Sequence, residues 1–146
     1  MKSLPLRFSV FWISAALLGN ALACNRGPAI VPVSGKIAID GQPLMSGSIQ
    51  VYQQGYRPAG AKIEQDGSFR LQTFKDFDGC ILGEHAVAVF SNDTINEKSS
   101  RYYIPERYSQ LETSDLKISI GGPKNDLQID LTWHGSGHTK PYIKRE

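Results

Sequence analysis

The sequence predicts an all-β domain, a seven-stranded Greek-key β-sandwich. Short segments in which apolar and polar residues alternate recur along the chain, and turn residues separate them. Two separators are Asp-Gly pairs, at 40–41 and 66–67, a dipeptide that favours tight hairpins. No stretch carries a sustained helical period. These observations together indicate stacked sheets.

The first two strands set the pattern for the rest. Val33 and Ile37 recur at even spacing and predict a strand over 33–39 with one apolar face. The chain turns at the Asp-Gly pair, runs back over 42–44 and forms a second strand over 48–53. The apolar face of such a pair must be covered, so we expect further strands to pack on it.

The clearest hairpin signal surrounds the second Asp-Gly pair. Segments 61–65 and 68–73 flank it, and Ile63, Phe69 and Leu71 alternate with polar residues. The sequence therefore predicts the third and fourth strands here, joined as a hairpin.

Three more strands complete the predicted sandwich. Segment 84–91 is almost continuously apolar, which is typical of a central strand covered on both faces. Segments 116–120 and 127–133 alternate and predict the sixth and seventh strands. The stretch 92–108 is predicted to be a long irregular connection, because its Ile-Pro pair disfavours helix. Residues 134–146 are predicted to be a flexible tail.

The N-terminal segment, residues 1–23, has the pattern of a secretory signal peptide. Lys2 and Arg7 form a positive region, residues 8–18 an apolar run, and Ala-Leu-Ala at 21–23 a small-residue cleavage site. The apolar run is shorter than the roughly 20 residues that a spanning helix needs. We therefore expect no transmembrane helix in the mature chain.

Leu-Ala-Cys at 22–24 resembles the end of a bacterial lipobox, whose cysteine is lipidated before the signal is cut. The resemblance implies lipidation of Cys24 and a lipidated tether over 24–32, and several acyl chains would anchor the protein stably. Residues 21–23 also suit ordinary signal peptidase, so a plain secreted chain is the alternative. In that case Cys24 and Cys80 can form a disulfide in the oxidising environment outside the cytoplasm.

The charge balance argues against nucleic acid as a partner. Lys2 and Arg7, two of the 16 basic residues, lie in the signal segment, which leaves 14 to match the 14 acidic ones. The mature chain has neither a basic stripe nor an acidic tail. The mature chain is long enough to form a hydrophobic core that needs no stabilising metal or disulfide.

Several turn and core motifs resemble one family across residues 33–133. They are Val-Ser-Gly at 33–35, Asp-Gly-Gln-Pro-Leu at 40–44, Asp-Gly-Ser-Phe at 66–69, Gly-Glu-His-Ala-Val-Ala-Val at 83–89 and Ile-Pro-Glu-Arg-Tyr at 104–108. This order resembles the carboxypeptidase regulatory-like domains, whose fold is the transthyretin-like (prealbumin-type), Ig-like sandwich. The last motif is similar to that of short bacterial lipoproteins that carry only this domain.

The resemblance implies a fold far more strongly than an activity, because its motifs are turn and core residues. No catalytic residues come with the family domain. The transthyretin-like hydrolases of purine degradation end in Tyr-Arg-Gly-Ser, whereas this chain ends in Tyr-Ile-Lys-Arg-Glu at 142–146. We therefore expect no enzyme activity, no catalytic residues and no cofactor.

Three groups of side chains suggest chemistry and have a simpler interpretation. His134 and His138 could bind zinc, but two glycines lie between them and no third ligand is evident, so no metal site is predicted. The acidic segment 76–79 resembles part of a calcium loop without its other ligands. Cys80 and His85 could form a nucleophilic pair, but Cys80 begins an apolar segment and is predicted to be buried.

The aromatic residues of the 92–108 connection are the best candidates for a binding surface. Tyr102, Tyr103 and Tyr108 lie there with Arg107, and exposed aromatics on sandwich loops can stack on sugar rings. The alternative is that Tyr103, Ile104 and Tyr108 plug one open end of the sandwich, and this is the interpretation we favour.

The sequence thus predicts a non-enzymatic, lipid-anchored protein of the bacterial cell envelope that faces the periplasm or the cell surface. Its expected role is structural or in protein interaction, with the membrane and envelope proteins as partners. The alternative is a module that binds carbohydrate, such as an envelope polysaccharide, or another small ligand.

Overall fold

The computed structural model describes residues 27–145. Strands predominate, and the only helical segments among these residues are a 3-10 turn at Glu106–Ser109 and a single-turn helix, α1, at Leu111–Ser114. The strands in chain order are β1 (Ile30–Val31), β2 (Val33–Ile39), β3 (Gln42–Pro43), β4 (Ser48–Tyr52), β5 (Ala59–Lys62), β6 (Ser68–Arg70), β7 (Cys80–Ile81), β8 (Gly83–Phe90), β9 (Asn92–Asn96), β10 (Ser99–Tyr102), β11 (Lys117–Ile120), β12 (Lys124–Leu131) and β13 (Tyr142–Arg145).

Two larger sheets carry the core. One is antiparallel, in the order β11-β8-β4-β5. In the other, β2 pairs in parallel with β12 and antiparallel with both β3 and β6. Two smaller sheets, β1-β7 and β13-β10-β9, are added to them.

One hydrophobic core lies between the two larger sheets. Fully buried side chains come from both of them, and these include Ile37 and Phe69 from one sheet and Ile49 and Val87 from the other. Alternate residues point inward, as in β12, where Leu127, Ile129 and Leu131 are buried between exposed polar neighbours. The all-β prediction is therefore confirmed, and the packing is that of a β-sandwich.

The two ends of the sandwich differ, and we name them by what they hold. The proximal end is where β2 begins, with the chain arriving from Gly27, and it also holds the loops 53–58 and 72–79 and the turn 121–123. The distal end is where β2 finishes, at the turn formed by Asp40 and Gly41.

The first Asp-Gly turn forms as predicted. Ile39 pairs with Gln42 across it, and both turn residues have positive φ, 46° at Asp40 and 81° at Gly41. This is the two-residue turn that matches the twist of the flanking strands.

The second Asp-Gly pair also forms a turn, but its arms separate into different sheets. The Glu64 N–H donates to the Ser68 carbonyl at 2.9 Å, and a bridge between Gly60 and Gln72 holds the arms together further on. Beyond these contacts β5 pairs with β4, whereas β6 pairs with β2. The predicted strands exist, but the hairpin joins the two sheets at an edge, because alternation fixes which face is buried and not which strand is the neighbour.

The predicted central strand is β8, which lies between β11 and β4. Val87, Ala88 and Val89 are all buried, so both faces are covered as expected. The 3-10 turn and α1 pack against this strand, and the Ser114 hydroxyl donates to the Val87 carbonyl at 2.6 Å.

Three predictions about connecting segments are corrected. The 92–108 connection contains the hairpin β9-β10, so it is not irregular. The predicted tail contains β13, which pairs with β10, so 142–145 belong to the fold. The predicted tether contains β1, which pairs with β7. The four added strands, β1, β9, β10 and β13, lie outside the two larger sheets and are short, and their sequences lack the alternation by which the others were found. Within residues 27–145, no helix combines the length and apolar character needed to cross a bilayer.

Candidate functional site

The predicted tyrosines and Arg107 lie together at the distal end. The hairpin β9-β10 and the following residues to 114 form one wall of this end, and residues 133–145 return across it. Tyr102 meets the C-terminal segment, and Arg107 and Tyr108 meet the end of β12 that leads into it. These contacts decide what the three side chains can still bind.

Tyr102 stacks on Tyr142 of β13. The ring centroids are 5.4 Å apart and the planes differ by 11°. Tyr142 also stacks on His138 at 3.7 Å and meets the edge of Trp133 at 6.3 Å. The ring of Tyr102 is thus part of an internal aromatic cluster, which leaves less of it for a sugar ring.

Tyr108 and Arg107 tie the 3-10 turn to the end of β12. Tyr108 is only 5% exposed. Its hydroxyl oxygen accepts the Thr132 N–H at 3.1 Å and an Arg107 Nη2–H at 3.0 Å. The same guanidinium donates to the Thr132 carbonyl at 3.2 Å. Both side chains are therefore placed to hold the fold together, and Tyr108 with Ile104 plugs this end of the sandwich.

Tyr103 also packs against the core, but it is only partly buried. Its hydroxyl donates to Asp93 at 2.7 Å, and its half-buried ring lines an open cleft. The cleft has a volume of about 820 Å³, within the range of small-molecule sites. Its lining side chains and backbone come from Ile39, Asp40, Gln42, Pro43, Leu44, Met45, Ser46, Gln65, Tyr103, Trp133, Thr139, Lys140 and Pro141.

The cleft is mainly apolar, with a few polar groups that could orient a ligand. Asp40 and Lys140 supply one charge of each sign. Asp40 is already engaged, since its carboxylate accepts the Trp133 N–H at 3.2 Å. Such a surface suits the flat face of a sugar or an apolar side chain of a partner protein better than it suits bond-breaking chemistry.

A smaller cleft of about 480 Å³ lies between the 3-10 turn and the C-terminal segment. Two of its charged groups pair with each other, because Lys144 Nζ lies 2.8 and 2.9 Å from the two carboxylate oxygens of Glu106. The hydrogen bond to Glu106 raises the pKa of Lys144. Burial, followed by the nearby negative charge of Glu106, raises the pKa of Tyr142.

The sequence did not indicate the part of the cleft that comes from 139–141. These residues carry no alternation, and the only signal near them is the pair of strand-forming residues Tyr142 and Ile143. Trp133 was predicted as a strand residue, and its place in the cleft follows from the returning C-terminal segment.

Cys80 and His85 are both buried and do not form an activated pair. Burial raises the pKa of the Cys80 thiol to about 11, so the thiol is protonated at neutral pH and is a poor nucleophile. His85 Nε2 lies 2.9 Å from the Ile81 carbonyl, and His85 Nδ1 has no hydrogen-bond partner among the described residues.

The acidic segment 76–79 serves its own loop. The Asp78 carboxylate accepts three backbone N–H groups, from Thr73 at 2.6 Å, Phe74 at 2.9 Å and Lys75 at 3.0 Å. Burial raises the pKa of Asp78, but the backbone donors outweigh it and hold the pKa below its ordinary value. In the described part of the chain, no three His, Cys, Asp or Glu side chains converge as metal ligands.

Cys24, the predicted lipidation site, lies outside the described residues. The comparisons with known proteins add no assignment: no protein-family model, no curated protein and no solved structure matches this chain.

Proposed function

We propose that this protein is a non-enzymatic, lipid-anchored component of the bacterial cell envelope with a structural or protein-interaction role. Cys24 carries the lipid, and the domain faces the periplasm or the cell surface. The observation that carries the proposal is the position of Cys24: it follows a secretory signal pattern and precedes the first strand, which begins at Ile30, by six residues.

The proposal includes a fold assignment: a seven-stranded Greek-key sandwich of the transthyretin-like type found in carboxypeptidase regulatory-like domains. Support comes from β2, β4, β5, β6, β8, β11 and β12, the strands that overlap the seven predicted segments and contribute to the core. The Asp-Gly turns quoted for the family resemblance are both formed.

A binding role is favoured over catalysis by the state of the reactive groups. The buried thiol of Cys80 is held protonated, Asp78 is bound by backbone donors, and Arg107 is tied to Thr132. The distal end offers shape and apolar surface instead. Such a surface can hold a partner without activating it.

The test of the anchor uses the two cysteines as a matched pair. Cells that express the full chain are labelled with a fatty acid analogue. We expect the label and the membrane fraction to be lost on Cys24→Ala and retained on Cys80→Ala. An unlabelled, soluble wild-type product would overturn the proposal.

The cleft favours a second candidate function, a module that binds carbohydrate or another small ligand. The half-buried ring of Tyr103 lines it, and exposed aromatic rings of this kind stack on sugars. A glycan array would test this candidate. If the candidate is correct, we expect saturable binding of a glycan that is weakened by Tyr103→Ala. Tyr56→Ala should leave the binding unchanged, because Tyr56 lies at the proximal end. Absence of saturable binding would exclude this candidate and leave the structural or protein-interaction role as the proposed function.

A further inference from the structure

The exposed large hydrophobic side chains are concentrated at the proximal end. Among the described residues there are eight such side chains, and five of them lie at this end. The five are Tyr52, Tyr56, Phe74, Phe77 and Leu82. Phe74 is 64% exposed and Phe77 51%, so neither ring contributes much to the core. An apolar surface of this kind, gathered at one end of a domain, is typical of an interaction site.

The chain reaches Cys24 from the same end. The Leu82 N–H donates to the Ala29 carbonyl at 3.3 Å, and Val31 pairs with Cys80, so the chain is fixed to the proximal end from Ala29 onward. The five residue-to-residue steps from Cys24 to Ala29 span at most about 18 Å when fully extended. An anchor at Cys24 therefore keeps the proximal end close to the bilayer surface.

We propose that the proximal end docks on the bilayer that holds the anchor, with Phe74 and Phe77 inserted at the boundary between headgroups and acyl chains. This inference rests on the proposed lipidation of Cys24. It adds a fixed orientation: the aromatic loop faces the membrane, and the distal cleft faces away from it.

The side chains around the two phenylalanines suit that boundary. The guanidinium carbon of Arg70 lies 4.3 Å from the centre of the Phe77 ring, and that of Arg57 lies 5.4 Å from the Phe74 ring. In the interface the rings enter the apolar layer while the guanidinium groups remain at the level of the lipid phosphates. At this depth, each phenylalanine ring lies in an apolar environment while the arginine beside it stays in a polar one.

The loop that carries the rings is ordered before it meets a membrane. Asp78 binds three successive backbone N–H groups of the loop, and the Thr73 hydroxyl donates to the Gly79 carbonyl at 2.7 Å. Little conformational freedom is lost on docking, which favours binding.

Net charge does not drive the contact. The four basic residues at this end, Arg57, Arg70, Lys75 and Lys124, are matched by four acidic ones, Asp76, Asp78, Glu84 and Asp126, and Lys124 pairs with Asp126 at 3.5 Å. A zwitterionic bilayer is therefore a sufficient partner, since the contact depends on the aromatic side chains.

The experiment uses the lipidated protein in phosphatidylcholine vesicles whose acyl chains carry bromine near the headgroup. Bromine quenches tryptophan fluorescence at short range, so Phe77→Trp reports contact at the proximal end. Met45→Trp is the matched control, because Met45 is exposed at the distal end. The signal of Trp133, also at the distal end, is subtracted with the unsubstituted protein.

We expect the added emission of Phe77→Trp to fall at least about twofold in brominated vesicles and that of Met45→Trp to stay nearly unchanged. Phe74→Trp is a second reporter with the same expected result. Equal quenching of the proximal and distal reporters would overturn the docked orientation while leaving the anchor intact. Recovery of an unacylated protein would instead overturn the anchor, and with it this inference.

Discussion

The two ends of the sandwich are built in different ways. At the proximal end, the exposed part of the loop 72–79 is stabilised by groups close to one another in sequence, since Asp78 binds backbone groups three to five residues earlier. The last residue of the loop, Gly79, packs against Val31. At the distal end, Tyr108 binds Thr132, 24 residues later, and Asp40 binds Trp133, 93 residues later. A locally stabilised loop can change its exposed side chains freely, whereas the distal end depends on contacts between distant segments.

The largest expected effect comes from the plug of the distal end. Ile104 is 1% exposed and belongs to the core, so Ile104→Ala should lower the free energy of unfolding by about 2–5 kcal/mol through lost burial and a cavity. The matched control is Ile95→Ala, at an exposed position of β9, for which we expect a change within about 0.5 kcal/mol. Urea denaturation measures both, and equal effects would show that 103–108 does not plug the core.

Each end of the sandwich has a glycine with positive φ, Gly79 at the proximal end and Gly41 at the distal end. A Cβ at Gly79 would lie 1.8 Å from the Val31 carbonyl oxygen, whereas one at Gly41 would meet no atom within 4 Å. Gly41→Ala should cost about 1–2 kcal/mol from backbone strain alone. Gly79→Ala should cost more, because β1 must also move away from β7. Thermal denaturation of the two variants would contradict this account if Gly41→Ala were the less stable one.

Asp78 predicts a pH dependence of stability that arises at the proximal end. Because its pKa is lowered in the folded state, its contribution to stability is present above the unfolded value near 3.9 and is lost as the pH falls through the folded pKa. Asp78→Asn should therefore cost about 1 kcal/mol at neutral pH and progressively less in acid. The measurement is the free energy of unfolding by urea at a series of pH values between neutral and acid, with Asp76→Asn as the control. Parallel curves for Asp78→Asn and the wild type would exclude the proposed role of the carboxylate.

The smallest effect is expected at the edge strand β13. The Lys144–Glu106 ion pair is solvent-exposed, so Lys144→Ala should leave the denaturation midpoint unchanged. Amide hydrogen exchange should nevertheless become faster over 142–145, where the strand loses a tie to the 3-10 turn. Unchanged exchange at these amides would mean that pairing with β10 alone holds the strand.

The sequence was sufficient wherever the structure depends on neighbouring residues. The alternation in 33–39 and 127–133 and the positive-φ turn at Asp40 and Gly41 are local properties, and the strands and turn form as predicted. Alternation does not name a partner strand, so the parallel pairing of β2 with β12 and the division of β5 and β6 between two sheets were not predicted.

The candidate site was predicted only in part, for the same reason. The sequence identified Tyr102, Tyr103, Tyr108 and Arg107 as a group, and they do lie at one end. It could not separate the exposed from the structural members, because Tyr108 is buried by its contact with Thr132 and Tyr102 is covered by Tyr142.

The sequence by itself determined that this chain alternates, turns and buries its apolar face as an all-β domain, because backbone geometry translates a period of two into strands. Only the tertiary structure decided that residues 133–145 return over the distal end and form one side of the open cleft there. The C-terminal segment has no periodic pattern of its own. Its position depends on contacts with residues far away in sequence: Tyr142 stacks on Tyr102, Lys144 pairs with Glu106, and the Trp133 backbone N–H donates to Asp40. Contacts of that kind exist only once the sheets have formed.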